Sequence, residues 1–184
     1  VGVNAETGKY EPQLATEWKL QTDGRSFRFK LREGVKFHGN RGEFGPDALI
    51  EALKLQSTQT EIPGVVSTSN VYGLLNPLIA GIDKTGPAEV LLRLKATDGT
   101  FMLTISEQRG VFYMVNAQHF NELGQPDWQT GPASGTGPYE YADRAEGQFF
   151  RYQRVSYHHW RVTPDFPEFE FRVVAEASTR MAAM

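Results

Sequence analysis

The sequence of 184 residues contains no cysteine, and this absence excludes several kinds of site at once. Without thiols the chain forms no disulfide, carries no thiolate nucleophile and builds no zinc or iron–sulfur centre on cysteine ligands. The cellular compartment is left open by this criterion, because a chain without cysteine is indifferent to the redox state of its surroundings.

Long apolar runs are missing as well. No stretch approaches the roughly 20 consecutive apolar residues that cross a bilayer as a helix. The N-terminus also lacks a basic segment followed by an apolar one. We therefore predict no direct membrane span, and we expect that any export signal has been removed from this sequence.

An excess of positive charge is the third absence. The formal net charge is −3 and no basic stripe is visible, which argues against a nucleic-acid partner and against an anionic membrane surface. Hydrophobic residues make up 40% of the chain and charged residues 22%, close to the composition of globular proteins. The sequence thus predicts a folded, globular chain.

Two strand-like runs flank Asp23-Gly24 and predict a β-hairpin over residues 17–31. Asp-Gly between such runs is one of the stronger local signals for a tight turn. In the second run apolar residues alternate with basic ones, so one face of this strand is predicted to be buried. The residues of that face are Phe27, Phe29 and Leu31. A helix of about three turns is predicted from Pro46, which suits a first helical turn.

Short strands and short helices are predicted along the rest of the chain. The strands are expected at 90–95, 111–115, 139–142, 148–155 and 168–174. The helices are expected at 70–80, where Pro77 ends or kinks the helix, at 100–106, between Asn116 and Gly124, and from Ala175. The run 111–115 is continuously apolar, which is typical of a strand covered on both faces. Because the strands come as hairpins, we predict an α+β fold of mixed and antiparallel sheet with short helices.

Residues 134–138, with the sequence Ser-Gly-Thr-Gly-Pro, form a connection that we call the Gly/Pro loop. Gly135 and Gly137 are predicted to allow backbone angles or close approaches that a Cβ atom would forbid. A phosphate-binding loop fits poorly, because such a loop ends in Gly-Lys-Ser/Thr and opens a helix. We therefore predict that the Gly/Pro loop has a structural role.

The histidines and serines of the sequence indicate no metal or catalytic site. His158 and His159 are adjacent, and adjacent residues of a strand point to opposite faces, so the two cannot easily bind one ion. His38 and His119 have no carboxylates at ligand spacing, which favours a surface or structural role. No Gly-x-Ser-x-Gly elbow is present. We predict no catalytic residue, no metal site and no cofactor.

Four segments of the sequence are distinctive when they are taken together. They are Pro12-Gln13-Leu14-Ala15 with Trp18, the run Phe27-Arg28-Phe29-Lys30-Leu31-Arg32-Glu33-Gly34-Val35-Lys36-Phe37-His38, the run Gly135-Thr136-Gly137-Pro138-Tyr139, and Phe171-Arg172-Val173-Val174 with Ser178-Thr179-Arg180. In this order they resemble the peptide and nickel class of ABC-transporter solute-binding proteins, which are extracytoplasmic receptors with a small additional domain. The stretch 39–45 departs from the resemblance, since it is rich in glycine where the family has Asp-Gly and a proline.

The resemblance implies that the α+β fold is part of a type II periplasmic-binding-protein-like architecture. Residues 1–133 are then expected to be the small extra domain of the N-terminal lobe. Residues 134–184 are expected to be an incomplete segment of the main lobe, truncated at Met184.

The resemblance also implies a function and a location. The chain is expected to be the substrate-binding component of an ABC importer, which captures a small solute, a peptide as first choice, and delivers it to the permease subunits. Nickel, haem, opine or oligosaccharide binding in the same family is an alternative, and so is an enzyme or a stand-alone interaction module. The location is the periplasm or the cell surface, and a lipid anchor on the full-length protein is left open.

Tyr72 is the residue for which we predict contact with the ligand. This prediction depends on the idea that its part of the small domain faces the ligand cleft. The alternative is that Tyr72 packs inside the small domain. In the family most ligand contacts lie in the second lobe, and none of those is carried over to this sequence.

Overall fold

The computed structural model describes residues 1–57, 70–109, 112–123 and 134–174. The strands are β1 (Gly2–Val3), β2 (Tyr10–Glu11), β3 (Ala15–Leu20), β4 (Ser26–Leu31), β5 (Ile79–Gly86), β6 (Glu89–Leu94), β7 (Tyr139–Ala145), β8 (Phe149–Arg154) and β9 (Glu168–Arg172). The helices are α1 (Pro46–Ser57), α2 (Asn70–Leu75), α3 (Phe101–Thr104) and α4 (Ala117–Leu123), and a 3-10 turn covers His38–Asn40. Strands from separate hairpins and short helices confirm the predicted α+β class.

The four-stranded sheet has the strand order β3-β4-β6-β5, so two hairpins lie side by side. The first is the hairpin predicted around Asp23-Gly24. Gly24 has a φ of 69°, and the Asp23 carboxylate accepts hydrogen bonds from the N–H groups of Arg25 (3.0 Å) and Ser26 (2.9 Å). The positive φ explains why a glycine follows the aspartate, and the carboxylate satisfies the backbone of the turn.

One face of the four-stranded sheet carries the core. Phe29 on β4 lies opposite Val90 on β6, and residues two positions away share that face because side chains alternate along a strand. The predicted burial of this face is confirmed. The buried side chains of these two strands are Phe27, Phe29, Leu31, Val90, Leu92 and Leu94. Leu53 of α1 and Phe101 of α3 belong to the same core cluster.

The three-stranded sheet, with the order β7-β8-β9, has an aromatic face and a charged face. On the aromatic face Tyr152 lies opposite Phe169, their rings stack with centroids 5.1 Å apart, and Phe171 follows two residues along β9. On the other face Arg151 and Glu170 form an ion pair at 2.8 Å. Phe171 is nevertheless 63% exposed, so the described residues cover this aromatic face only in part.

The chain differs from prediction in two places. Residues 112–115, the described part of the run predicted as a buried strand, have no regular structure. Phe112 and Met114 pack against the core from an irregular segment, while Tyr113 between them is 65% exposed. The apolar residues of this run therefore pack against the core although the segment pairs with no strand of the described residues. Strand β5, which the sequence pattern does not predict, completes the four-stranded sheet instead.

Two predicted helix boundaries are confirmed, whereas α3 (Phe101–Thr104) is shorter than the helix predicted at 100–106. Helix α2 ends at Leu75, ahead of Pro77. Helix α4 begins after Asn116, whose Oδ1 accepts a hydrogen bond from the N–H of His119 (2.9 Å) as an N-cap. The predicted stop at Gly124 and the predicted last helix lie outside the described residues. Among the described helices, none has both the length and the apolar character that a membrane crossing requires.

Candidate functional site

The Gly/Pro loop precedes β7 of the three-stranded sheet. Its two glycines do not adopt a backbone conformation that only glycine favours. Neither Gly135 nor Gly137 has a positive φ. A Cβ atom on Gly135 would lie 3.5 Å from Met114 O and 3.6 Å from His38 Cε1, which are ordinary contact distances. The prediction that these glycines meet a geometry forbidden to other residues is therefore wrong. Hydrogen bonds from two histidines hold the loop instead.

His38 binds the Gly/Pro loop with both ring nitrogens. Nδ1 accepts a hydrogen bond from Gly135 N–H (3.2 Å), and Nε2 lies 2.9 Å from Gly137 O. Because Gly135 N–H is a donor, Nδ1 carries no proton and Nε2–H donates to Gly137 O. The main chain of His38 adds two bonds, from its N–H to Gly135 O and from Ser134 Oγ to its carbonyl oxygen, both at 3.0 Å.

His159 holds the same loop from a later segment of the chain. Its Nε2 lies 3.0 Å from Thr136 O, and its Nδ1 accepts hydrogen bonds from the N–H groups of Arg161 and Val162, both at 3.3 Å. The same reasoning assigns the neutral Nε2–H tautomer to this ring. His159 is buried while its neighbour His158 is exposed, so the two rings do not converge on one point.

A cavity of about 470 Å³ is lined by the Gly/Pro loop, the core face of the four-stranded sheet and α1. Its apolar wall includes Phe29, Leu31, Leu49, Leu53, Ile82 and Leu92. His159 and Trp160 form another part of the wall. A volume of this size lies within the usual range for small-molecule sites, and the wall suits an apolar group.

The polar groups around this cavity largely pair with one another. Arg161 donates to both carboxylate oxygens of Glu107, at 2.8 and 3.3 Å. Burial lowers the pKa of the Val1 α-ammonium, although the nearby Glu107 carboxylate acts in the opposite direction. The indole Nε1–H of Trp160 is buried and has no acceptor in the part of the chain that the structure describes. It is a polar atom that a bound acceptor or an ordered water would satisfy.

The described groups around the cavity support binding rather than bond breaking. The ring nitrogens of His159 are both engaged by backbone groups, so this imidazole is not placed as a general base for a nucleophile. Within the four described ranges, no group of three or more potential metal-ligating side chains occurs.

The described residues do not test the predicted ligand contact of Tyr72. Tyr72 lies in α2, but its side chain is outside the described residues, so its ligand contact stays a prediction. The sequence reasoning missed the joint role of His38 and His159. One signal for it was present, because a glycine-rich loop exposes backbone groups that need partners, and both histidines adjoin an aromatic residue.

Comparison with known proteins decides the family. The sequence profile described as bacterial extracellular solute-binding proteins, family 5, middle region, matches residues 9–184. The chain belongs to this family. The family-5 chain is 25% identical over 185 residues to the Heme-binding protein A of Haemophilus influenzae, covering 95% of this chain and 34% of the relative. It is also 25% identical over 184 residues to the Dipeptide-binding protein of Escherichia coli, covering 94% and 34%.

The family-5 chain spans about a third of the length of these relatives. Its fold is similar to that of the periplasmic binding protein DppA from Helicobacter pylori, solved in complex with the peptide STSA. The TM-score is 0.79 at 20% identity, over 99% of this chain and 37% of that structure. At this identity the likeness concerns the fold alone, and it confirms the predicted periplasmic-binding-protein-like architecture.

Proposed function

We propose that this chain is part of the substrate-binding component of an ABC importer, which captures a peptide outside the cytoplasm and delivers it to the permease. The observation that carries the proposal is the family-5 match over residues 9–184. A relative named a dipeptide-binding protein supports a peptide as the solute. The protein then works in the periplasm or at the cell surface, and it breaks no bond.

The proposed mechanism is closure of two lobes around the solute. Receptors of this kind close like a hinge and bury the ligand between the lobes. We propose that residues 1–133 belong to the small extra domain and residues 134–184 to the main lobe, with the Gly/Pro loop opening the second part. The cavity supports this assignment of two parts, because residues from both 1–133 and 134–184 line it and its wall is mostly apolar. The chain then supplies one wall of the site.

Haem is the second candidate solute. A relative that covers 95% of this chain is named a heme-binding protein. Against haem, the ring nitrogens of His38 and His159 are engaged by backbone groups, which leaves the exposed His158 as the more accessible imidazole of the three. An axial iron ligand needs a ring nitrogen without another partner. His38 and His159 are therefore poorly suited as iron ligands, and among these three imidazoles a haem would depend on His158.

Isothermal titration calorimetry of the full-length protein tests the proposal. We expect dipeptides to pentapeptides to bind with a Kd in the micromolar range or tighter, which corresponds to about −8 kcal/mol or better. Haemin, a nickel complex, an opine and an oligosaccharide are titrated in parallel. Tight binding of one of these without peptide binding would replace the peptide as solute, and hydrolysis of the peptide would contradict a binding function.

A further inference from the structure

We propose that His38 and His159 are positioning residues that form a proton-sensitive latch on the Gly/Pro loop. Neutral imidazoles hold the loop and thereby fix the connection between the four-stranded and the three-stranded sheet. Protonation of each imidazole breaks the backbone hydrogen bonds that its own Nδ1 accepts and so loosens the loop. This inference goes beyond the proposed function and does not depend on which solute the protein binds.

The latch joins three segments that are far apart in the sequence. One segment, residues 36–40, contains His38, and another, residues 157–162, contains His159. The Gly/Pro loop is the third segment and forms hydrogen bonds with both rings. The ring contacts have lengths of 2.9 to 3.3 Å, and every one of them ends on a backbone group. Because these contacts involve backbone atoms only, they do not depend on the side chains of the loop. The two imidazoles therefore fix the backbone conformation of the loop.

A second proton on either ring has only one place to go. In the Nε2–H tautomer the vacant nitrogen is Nδ1, which is the atom that accepts the backbone hydrogen bonds. Once protonated, Nδ1–H of His38 would face Gly135 N–H, and Nδ1–H of His159 would face the N–H groups of Arg161 and Val162. Donors would then face donors in a buried place, which leaves those groups unsatisfied.

Among the residues that the structure describes, no carboxylate forms an ion pair with the His38 ring. The histidine–carboxylate pair found there joins His119 and Glu122, at 4.0 Å. The carboxylate of Glu140 on β7 accepts a hydrogen bond from Gly39 N–H (3.3 Å). Charged and titratable groups around this segment are Lys36, Glu43, Arg41 with its partner Glu122, Glu140 and Tyr157.

Charged groups also lie on the His159 side of the loop. The guanidinium of Arg161, two residues away, is positive and already binds Glu107 at 2.8 Å. A second guanidinium, that of Arg32, lies 4.9 Å from the centre of the Trp160 ring, which in turn packs beside His159. The charged groups on this side of the loop thus include two guanidinium groups and one carboxylate, and Arg161 already binds that carboxylate.

Two measurements on the protein as its gene encodes it test the latch. Histidine ¹⁵N NMR at about pH 7.5 is expected to show both rings as neutral Nε2–H tautomers. Hydrogen exchange is expected to show protected amides at Gly135, Arg161 and Val162 at that pH, with protection factors that fall about tenfold or more by about pH 5. Amides in β4 are expected to keep their protection. An Nδ1–H tautomer at neutral pH, or unchanged protection of the three amides, would overturn the proposal.

Asparagine variants separate a proton-sensitive latch from a merely structural contact. In His38→Asn and His159→Asn, the Oδ1 atom replaces Nδ1 as an acceptor and does not titrate. We expect protection to persist in both variants, while the pH dependence disappears at Gly135 in His38→Asn and at Arg161 and Val162 in His159→Asn. The matched control His158→Asn changes an exposed neighbour and is expected to leave the pH dependence at all three amides intact. A pH-dependent loss that survives at these matching amides would show that another group titrates, and if a variant misfolds the wild-type tautomers decide.

Discussion

Gly24 adopts a left-handed backbone conformation with a φ of 69°, whereas Gly135 has no positive φ. Gly24→Ala is therefore expected to lower the free energy of unfolding by about 1 kcal/mol, because a Cβ atom strains this conformation. Gly135→Ala is expected to change the free energy of unfolding by about 0.5 kcal/mol or less, since its Cβ meets neighbours at ordinary distances. Urea denaturation of both variants checks this, and the reverse order of costs would contradict the described backbone.

The carboxyl group of Asp23 provides a second prediction for a single residue. The Ser26 hydroxyl lowers the pKa of Asp23 most, and the backbone N–H groups of Arg25 and Ser26 lower it further. Because the pKa is lower in the folded state, the stabilisation is complete above the ordinary aspartate value of about 3.9 and is lost as the pH falls through the folded-state value.

Ser26→Ala removes the largest of these contributions and is expected to raise the pKa of Asp23 toward its ordinary value. Carboxyl ¹³C NMR titration measures the change. Asp98 is the internal control, because Thr100 and not Ser26 lowers its pKa. An unchanged Asp23 titration in Ser26→Ala would show that the hydroxyl bond does not form in solution.

At the scale of elements, Asn116 ties α4 to the rest of the fold. Its Oδ1 caps the helix at His119 N–H (2.9 Å), and its Nδ2 donates to Arg41 O (3.0 Å). Asn116→Ala loses both bonds and is expected to lower the free energy of unfolding by about 1 to 2 kcal/mol. Asn116→Asp keeps the cap but loses the donor, so we expect an intermediate cost. Chemical denaturation that ranks the aspartate variant below the alanine variant would refute this division.

The two hairpins of the four-stranded sheet show what the sequence predicts and what it does not. The turn at Asp23-Gly24 and the alternation of Phe27, Phe29 and Leu31 are local signals, and the structure confirms them. Strand β5 contains Gly81, Asp83, Lys84 and Gly86, residues that disfavour a strand in isolation. It forms because β6 provides a partner with a buried face, which is a tertiary effect. The apolar run at 111–115 gave the opposite error, a predicted strand where the described residues have no regular structure. Hydrophobicity indicates that a segment is buried, but it does not indicate that the segment pairs with another strand.

The hydrogen bonds of the latch could not be predicted from the sequence, because they also depend on tertiary structure. His38 and Gly137 are 99 residues apart, and His159 and Thr136 are 23 residues apart. No periodicity or spacing connects such positions. The individual segments around them were distinctive enough to suggest the family, but the hydrogen bonds between them depend on the folded chain.

At the scale of the whole molecule, the 184-residue chain alone is expected to bind family ligands poorly. A solute held between two lobes loses roughly half of its contacts when one lobe is absent, while the entropic cost of association stays. We expect a Kd in the millimolar range or weaker, about −4 kcal/mol at best. Calorimetry of the isolated chain against mixed dipeptides to pentapeptides measures this. Micromolar binding by a monomer would place the complete site within these residues and exclude the two-lobed mechanism for this chain.

The aromatic face of the three-stranded sheet is expected to make the isolated chain self-associate. Phe171 is 63% exposed on a strand, next to Phe169, and apolar surface of this kind pairs between copies. Phe171→Ser is expected to lower the dimer fraction in size-exclusion chromatography with light scattering. Phe166→Ser is the matched control, because Phe166 is 70% exposed but lies outside the strands. Equal effects of both substitutions would contradict a role for the sheet face. Met181, a further candidate for this contact, lies outside the described residues.

The wide sequence separation within the latch also fixes when it can close. A chain that emerges from its N-terminus, whether during synthesis or during export, presents His38 well before Gly137, which follows 99 residues later. By then all strands of the four-stranded sheet, the last of which ends at Leu94, have already emerged. The four-stranded sheet can therefore form while the imidazole of His38 still has no loop to bind. The joint between the two sheets closes only after Gly137 has emerged, so it is expected to be fixed later than that sheet.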